Sequence, residues 1–404
     1  MGLCSAYYLH NAGHKVTIFD DGNLDDNCSI GNAGMVVPSH IIPLASPGMI
    51  TKGIRWMLNS KSPFYVRPRF NGDLIKWGMK FYSHANKQHV EKSIPVLKEI
   101  SLLGKSLYKK LAAEKHFDFG YEERGLMMLY QNRSTEEEEI EAAHLSNKHG
   151  VEAQILSLAE IQKLEPDVKV NSRGGVYFPG DAHLMPQLLV RNLIHYLRQK
   201  GVSIKQQSRV NGFVVKGNTV KSLFTSDDQL LFDEFVVATG AWSGVFFSKL
   251  GIDLPMQSGK GYSFTLHDVK KNIRIPSILI EGRVAVTPMR NSLRFGGTME
   301  VIGTDRSINM SRVKGIVETI PKFYPEMNVE VPAPQQVWSG LRPCSPDGLP
   351  YIGRTSKFRN VIVATGHSMM GLSLGPATGQ LVSEIIDEIP TSMNLDALHP
   401  ERFN

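Results

Sequence analysis

The first twenty residues, MGLCSAYYLHNAGHKVTIFD (1–20), decide how the rest of the chain is read. Leu3, Ala6, Tyr7 and Leu9 fall on one face of a short helix, and Gly13 supplies the left-handed residue that stops it. A strand at 16–19 follows and ends on Asp20. This order matches the second half of a dinucleotide-binding βαβ unit. There the last glycine of G-x-G-x-x-G opens the helix, and an acid about 20 positions on takes the ribose hydroxyls. Gly2 is then the third glycine of the fingerprint. The strand and two glycines expected before it would lie upstream of Met1. The expectation is that Met1 is internal to the fingerprint and that the natural protein begins roughly 10 to 15 residues earlier. An ordinary αβ unit is the alternative, since Gly and Asp are common at such points.

A chain of 404 residues can form two domains, or one large α/β domain with an insertion. With 42% hydrophobic and 21% charged residues it has the composition of a globular protein, and it contains no run of about 18 apolar residues. Cys4, Cys28 and Cys344 are far apart and show no metal-ligand spacing, which points to a reducing compartment and to no metal site. A net charge of +6 without a long basic run argues against a nucleic-acid partner but suits weak attraction to an anionic membrane. The expected location is the cytoplasm, or the inner face of the membrane as a peripheral protein.

After Asp20, the loop CSIGNAGMVVPSH (28–40) combines glycines and asparagine turns that leave backbone amides available to a ligand. Residues 41–90, with Trp56 and Trp77 on short helical patterns, look like a region that wraps another domain. Helical periodicity spans 95–115. Capping boxes at Thr135/Glu138 and Ser157/Glu160 predict two more helices, and a further helix enters at Pro186 and stops at Gly201. From Val202 the period changes to two, with a hairpin expected at Gly217-Asn218, and 256–305 is again rich in strands.

DEFVVATGAWS (233–243) and RNVIVATGHSM (359–369) echo one another: each is a continuous apolar strand running into Ala-Thr-Gly. Such strands suit a parallel sheet buried on both faces, whose carboxyl ends bind ligands, so the two copies are expected to flank one cofactor. Downstream, Gly375 and Pro376 open a helix whose unpaired amides and positive dipole end favour a negative group.

Assembled in this order, the segments GLCSAYYLHNAGHKVTIFD, GNAGMVVPS, IRWML, GKGYSFT, RFGGTMEVIG, WSGLRPCSPDGLPYIGRT and ATGH resemble the FAD-dependent amine and amino-acid oxidoreductases. That family includes D-amino-acid dehydrogenase, glycine oxidase and D-amino-acid oxidase, and the bacterial D-amino-acid dehydrogenases are the most alike. The resemblance implies an α/β fold with a discontinuous Rossmann-like FAD-binding domain (1–48, 181–255, 336–404). Inserted in it would be an α+β substrate domain with an antiparallel sheet (49–180, 256–335). It places Gly2 and Asp20 on the ADP half of FAD, and Ser29, Asn32, Ala33, Gly34 and Met35 along the flavin. Val210 would meet adenine, and Ala238, Thr239, Gly240 and Trp242 would close over pyrophosphate and ribose. Gly366, His367, Gly371, Leu372 and Ser373 would hold the ring.

Arg342, in SGLRP, resembles the family's carboxylate-binding arginine, and a guanidinium suits that role because two parallel hydrogen bonds fix an amino acid's orientation. Tyr262 is a second candidate for the same carboxylate, with a core tyrosine as the plain alternative. His183 and His367 are candidate acid-base groups. Where glycine oxidase carries an aromatic residue over the substrate, this chain has Ala285, which implies a roomier pocket. The implied reaction is oxidative deamination of a D-amino acid, or of a cyclic relative such as D-proline or hydroxy-D-proline. Hydride would pass from the α-carbon to flavin N5 and the electrons on to a quinone-type acceptor. The alternatives are an oxygen-using oxidase of glycine or sarcosine type, and a flavoprotein subunit without turnover.

Overall fold

The opening segment folds as its pattern dictates. In the computed structural model, which describes residues 1–49, 51, 53, 62–67 and 72–403, Gly2–Asn11 is a helix burying Cys4, Ala6, Tyr7 and Leu9. Gly13 takes φ 97° and turns the chain into Thr17–Phe19, which runs parallel to Ser203–Lys205. The buried side of this helix meets the helices Pro186–Gln199 and Gly375–Ile386. Its crossing with the second is backbone against backbone, because a Cβ on Gly379 would lie 2.6 Å from the carbonyl carbon of Cys4.

The two echo strands are neighbours. Phe235–Val237 pairs in parallel with Val361–Thr365, and Tyr351–Arg354 extends the ladder antiparallel. The expected hairpin joins Gly212–Lys216 to Thr219–Phe224, with Gly217 at φ 59°.

A larger sheet contains nine strands among the described residues. Its spatial order is Trp338–Cys344, Gln257–Leu266, Ser292–Val301, Val284–Met289, Ser277–Leu279, Leu126–Tyr130, Gly174–Phe178 and Gln154–Ser157, with Phe64–Val66 also beside Ser292–Val301. Pairing is antiparallel except between Ser277–Leu279 and Leu126–Tyr130 and between Phe64–Val66 and Ser292–Val301. Trp338–Cys344, which an expected boundary at 336 groups with the cofactor-binding segments, is hydrogen bonded into this sheet. The amphipathic helix Met310–Phe323 covers one face, packing Val313, Ile316, Ile320 and Phe323 on Phe264, Leu279, Val284 and Phe295. At the edge of that core Lys260, Glu300 and Arg312 form a buried charge cluster, in which Glu300 accepts from Arg312 Nε at 3.3 Å and from the Tyr262 hydroxyl.

Two expected helix starts move. The helix expected from 95 is Lys87–Ala113, because the Asn86 side chain caps it by accepting from His89 N, and Pro95 is carried in its interior. The helix expected from Thr135 is Arg133–Lys148. Thr135 therefore lies inside its first turn, and the amides of Gln131 and Asn132 just before the helix both donate to the distant Glu281 carboxylate. The Ser157/Glu160 box forms as expected. Trp77 donates its indole N–H to Cys344 O, whereas Trp56 lies outside the described residues.

Candidate active site

A cleft of about 2480 Å³ opens between the two parallel ladders and the large sheet. That is more than twice the roughly 300–1,000 Å³ of an ordinary small-molecule pocket. Of the residues singled out in the sequence, Gly2, Asp20, Ser29, Asn32, Ala33, Met35, Val210, Ala238, Thr239, Gly240 and Trp242 line it, as do Tyr262, Arg342, His367, Gly371, Leu372 and Ser373.

Gly34, Gly366 and His183 do not line the cleft. The two glycines turn the chain at positive φ where a side chain has no room. A Cβ would fall 2.3 Å from Leu184 O at Gly34 and 2.6 Å from the Tyr351 ring at Gly366. His183 is buried in a short ladder against Met35, and burial pulls its pKa down to about 4.

The Ala-Thr-Gly turns are cross-linked at the cleft. Thr239 Oγ1 is 2.9 Å from Ser243 Oγ, which donates to Thr365 Oγ1, and Thr365 in turn donates to Gly240 O at 3.2 Å. Asp20 ends its strand with one carboxylate oxygen accepting from Gly22 N. The 28–34 loop is shaped from within: Asn27 Oδ1 accepts from Ser29 N and Ile30 N, and Asn32 Oδ1 from Gly34 N. Val37 N donates to Ser373 Oγ at 3.0 Å, tying the end of this segment to the C-terminal block. His367 sits against the first turn of Gly375–Ile386, its Nε2 2.9 Å from Thr378 Oγ1, and burial pulls its pKa down to about 3, so the ring is neutral.

Side-chain alternation on the large sheet sorts the remaining candidates. Arg342 and Trp338 lie on one face, folded over glycines. A Cβ on Gly261 would be 2.3 Å from Arg342 Nη2, and one on Gly340 2.0 Å from the Trp338 ring. The Arg342 guanidinium donates from Nη1 to Thr298 O at 2.6 Å and has no carboxylate within 4 Å among the described residues. Burial lowers its pKa from the usual arginine value. Tyr262 alternates to the other face and joins the core under Met310–Phe323. Its hydroxyl donates to Glu300 and accepts from Asn309 N at 3.2 Å, so both of its hydrogen-bonding roles are committed away from Arg342. Tyr262 thus borders the cleft with its hydroxyl engaged by Glu300 and Asn309 rather than turned to Arg342.

Buried polar atoms along the cleft wall that have no protein partner among the described residues include Trp338 Nε1, Thr298 Oγ1 and His367 Nδ1. Such atoms cost stability unless a polar group meets them, and together with Gly31, where a Cβ would strike the Trp338 ring, they make a wall that suits a flat polar ring system. Two further groups have no motif signature. Asp181 accepts from Ser39 N and Oγ, with His40 Nδ1 3.2 Å from the same hydroxyl, and Arg294 reaches the 28–34 loop from the large sheet. A charged residue in the apolar strand LRFGG was the available signal for Arg294.

This chain is 28% identical over 393 residues to the D-amino acid dehydrogenase of Granulibacter bethesdensis, covering 96% of this chain and 93% of that one. It is 26% identical over 399 residues to the D-amino acid dehydrogenase of Helicobacter pylori, covering 98% and 95%. The crystal structure of glycine oxidase from Geobacillus kaustophilus superposes with a TM-score of 0.80 at 21% identity, covering 100% of this chain and 96% of that one, which shows a shared fold. A model of the FAD dependent oxidoreductase family matches residues 1–385, and on that match, with the cleft it accounts for, the chain belongs to the FAD-dependent oxidoreductase family.

Proposed function

We propose that the protein oxidises the amino group of a D-amino acid, or of a cyclic relative such as D-proline or hydroxy-D-proline, and passes the electrons to a quinone. The observation that carries this reading is Arg342, a half-buried guanidinium facing the cleft with no carboxylate within 4 Å among the described residues. A cation held there at a desolvation cost fits a carboxylate delivered by the substrate. The relatives' names agree with an amino-acid substrate.

FAD, when bound, supplies the acceptor for the hydride that leaves the substrate α-carbon. In this reading 1–48, 181–255 and 336–404 hold FAD, and the large sheet presents the substrate. Gly2 and Gly375 open helices whose amino ends face the cleft and favour the negative parts of the cofactor. Ser373 fixes the loop after Met35, and the neutral His367 braces the helix beneath it. Arg342 orients the amino acid through its carboxylate, leaving the amine and α-carbon free. Ala285, opposite Gly296 in the sheet, leaves space for a side chain or ring on the substrate.

Attachment at a membrane surface, where a quinone would be met, is supported by the helix Gly72–His84. It turns Ile75, Met79 and Tyr82 outward at 54%, 63% and 73% exposure, in one strip. No helix among the described residues is long and apolar enough to cross a membrane.

Anaerobic addition of a panel of D-amino acids to the FAD-loaded protein tests the reaction. Bleaching of the flavin absorbance by D-amino acids and not by their L-forms is the expected result, and no bleaching by any of them rejects it. Hydrogen peroxide formed in step with substrate loss would make oxygen the acceptor.

A further inference from the structure

Arg294 is 8% exposed and, among the described residues, has no acid within 4 Å. Burial alone pulls its pKa down to about 10, which leaves the guanidinium charged at neutral pH. Nearly all that it holds is backbone: Nη1 donates to Ile30 O at 2.9 Å and to Asn32 O at 2.8 Å, while Nε is anchored on Thr265 Oγ1 at 3.0 Å. Between those two carbonyls, Gly31 O accepts from Ser263 Oγ at 2.6 Å. Three successive carbonyls of the cleft loop are thus gripped by one face of the large sheet. Thr265 is opposite Arg294, and Ser263 opposite Gly296, in the ladder.

Gly31 N and Ala33 N donate to no protein acceptor among the described residues, and both residues line the cleft. These two free N–H groups, on either side of Asn32 N, which turns back to Ser29 O at 3.0 Å, attract negative charge. An isolated buried cation behind the same loop acts in the same direction, because its field is weakly screened there.

We propose that Arg294 is a positioning residue for the cofactor. It holds Ile30 and Asn32 by their carbonyls, with Ser263 on the Gly31 carbonyl between them, so that the loop presents the Gly31 and Ala33 amides to the flavin, and its unmatched charge favours the reduced, anionic ring. This rests on reading the cleft as the FAD site, with the loop along the flavin.

The test uses the full chain as wild type, Arg294→Met, Arg294→Lys and Arg342→Lys. It measures FAD affinity by fluorescence titration of the stripped protein, the midpoint potential of the bound flavin, and thermal unfolding without FAD. Arg294→Met should weaken FAD binding by about tenfold and make the flavin harder to reduce. Arg294→Lys should keep the charge and most of the potential while still binding FAD weakly, since an ammonium cannot span both carbonyls. Arg342→Lys should leave FAD affinity unchanged. If Arg294→Met does not fold, Ser263→Ala and Thr265→Val, each removing one bond of the same grip, should weaken FAD by a smaller factor. A wild type that takes FAD, with Arg294→Met matching it in affinity and potential, overturns the role of Arg294 alone. A wild type that takes no FAD overturns the reading of the cleft with it.

Discussion

Arg342 Nη1 donates to the carbonyl of Thr298 at 2.6 Å, and Thr298 holds the left-handed backbone conformation at φ 64°. The register of Ser292–Val301 against Gln257–Leu266 slips at this point, between Lys260 and Tyr262. A bulge of this kind re-aims a backbone group, here a carbonyl that steadies one side of the guanidinium and leaves the rest to the cleft. Arg342→Lys keeps a charge but loses the planar fork. The catalytic efficiency on D-amino acids should fall at least about tenfold, equivalent to about 1.4 kcal/mol, with FAD content unchanged. Steady-state kinetics of Arg342→Ala equal to wild type would remove Arg342 from the substrate site.

Burial raises the Asp181 carboxyl to about 7, against about 4 for an exposed aspartate. The native state therefore keeps a proton that the unfolded chain has lost between those values, so this group makes stability fall as pH rises from about 4 to about 7. Asp181→Asn abolishes that dependence. Denaturant titrations across the range should show the variant gaining on the wild type up to about pH 7 and then running parallel to it. A constant difference at every pH contradicts this.

The crossing of the helices Gly2–Asn11 and Gly375–Ile386 has no space for a side chain at Gly379, where a Cβ would also meet Cys4 O at 2.7 Å. Gly379→Val should separate the helices and cost about 1–3 kcal/mol. Both helices open at the cleft, so FAD retention should drop together with the melting temperature. A variant as stable as wild type would mean that the crossing yields freely.

Met79 lies mid-strip on Gly72–His84 and is 63% exposed. Met79→Asp adds a negative charge to that strip. Sedimentation with vesicles containing anionic lipid should fall several-fold, while turnover with a soluble dye as acceptor stays at the wild-type level. Equal sedimentation of both proteins removes this helix as the attachment.

Local features were legible in the sequence because their physics is local. The helix before Gly13, the Ser157/Glu160 box, the Gly217 hairpin and the adjacency of the two Ala-Thr-Gly strands all follow from periodicity, capping and turn chemistry. What escaped was settled at long range. The helix expected from Thr135 starts two residues earlier, where the segment entering it is held by Glu281, more than a hundred residues away. Arg294 finds its partners in the carbonyls of Ile30 and Asn32, and a backbone acceptor has no residue type by which a sequence could announce it. Tyr262 was readable as a strand residue facing away from Gly261, but only the assembled sheet shows which face meets the cleft.

Gln257–Leu266 is a single strand with two unrelated audiences. Gly261, Ser263 and Thr265 stand beside Arg342, the loop carbonyl and Arg294, whereas Lys260, Tyr262 and Phe264 speak to the charge cluster and the core under Met310–Phe323. Variation at odd numbers thus acts on Arg342, Arg294 and the loop they hold, while variation at even numbers acts on the scaffold. Gly261 is the exception that limits such variation, since the arginine occupies the very volume that any larger residue there would claim.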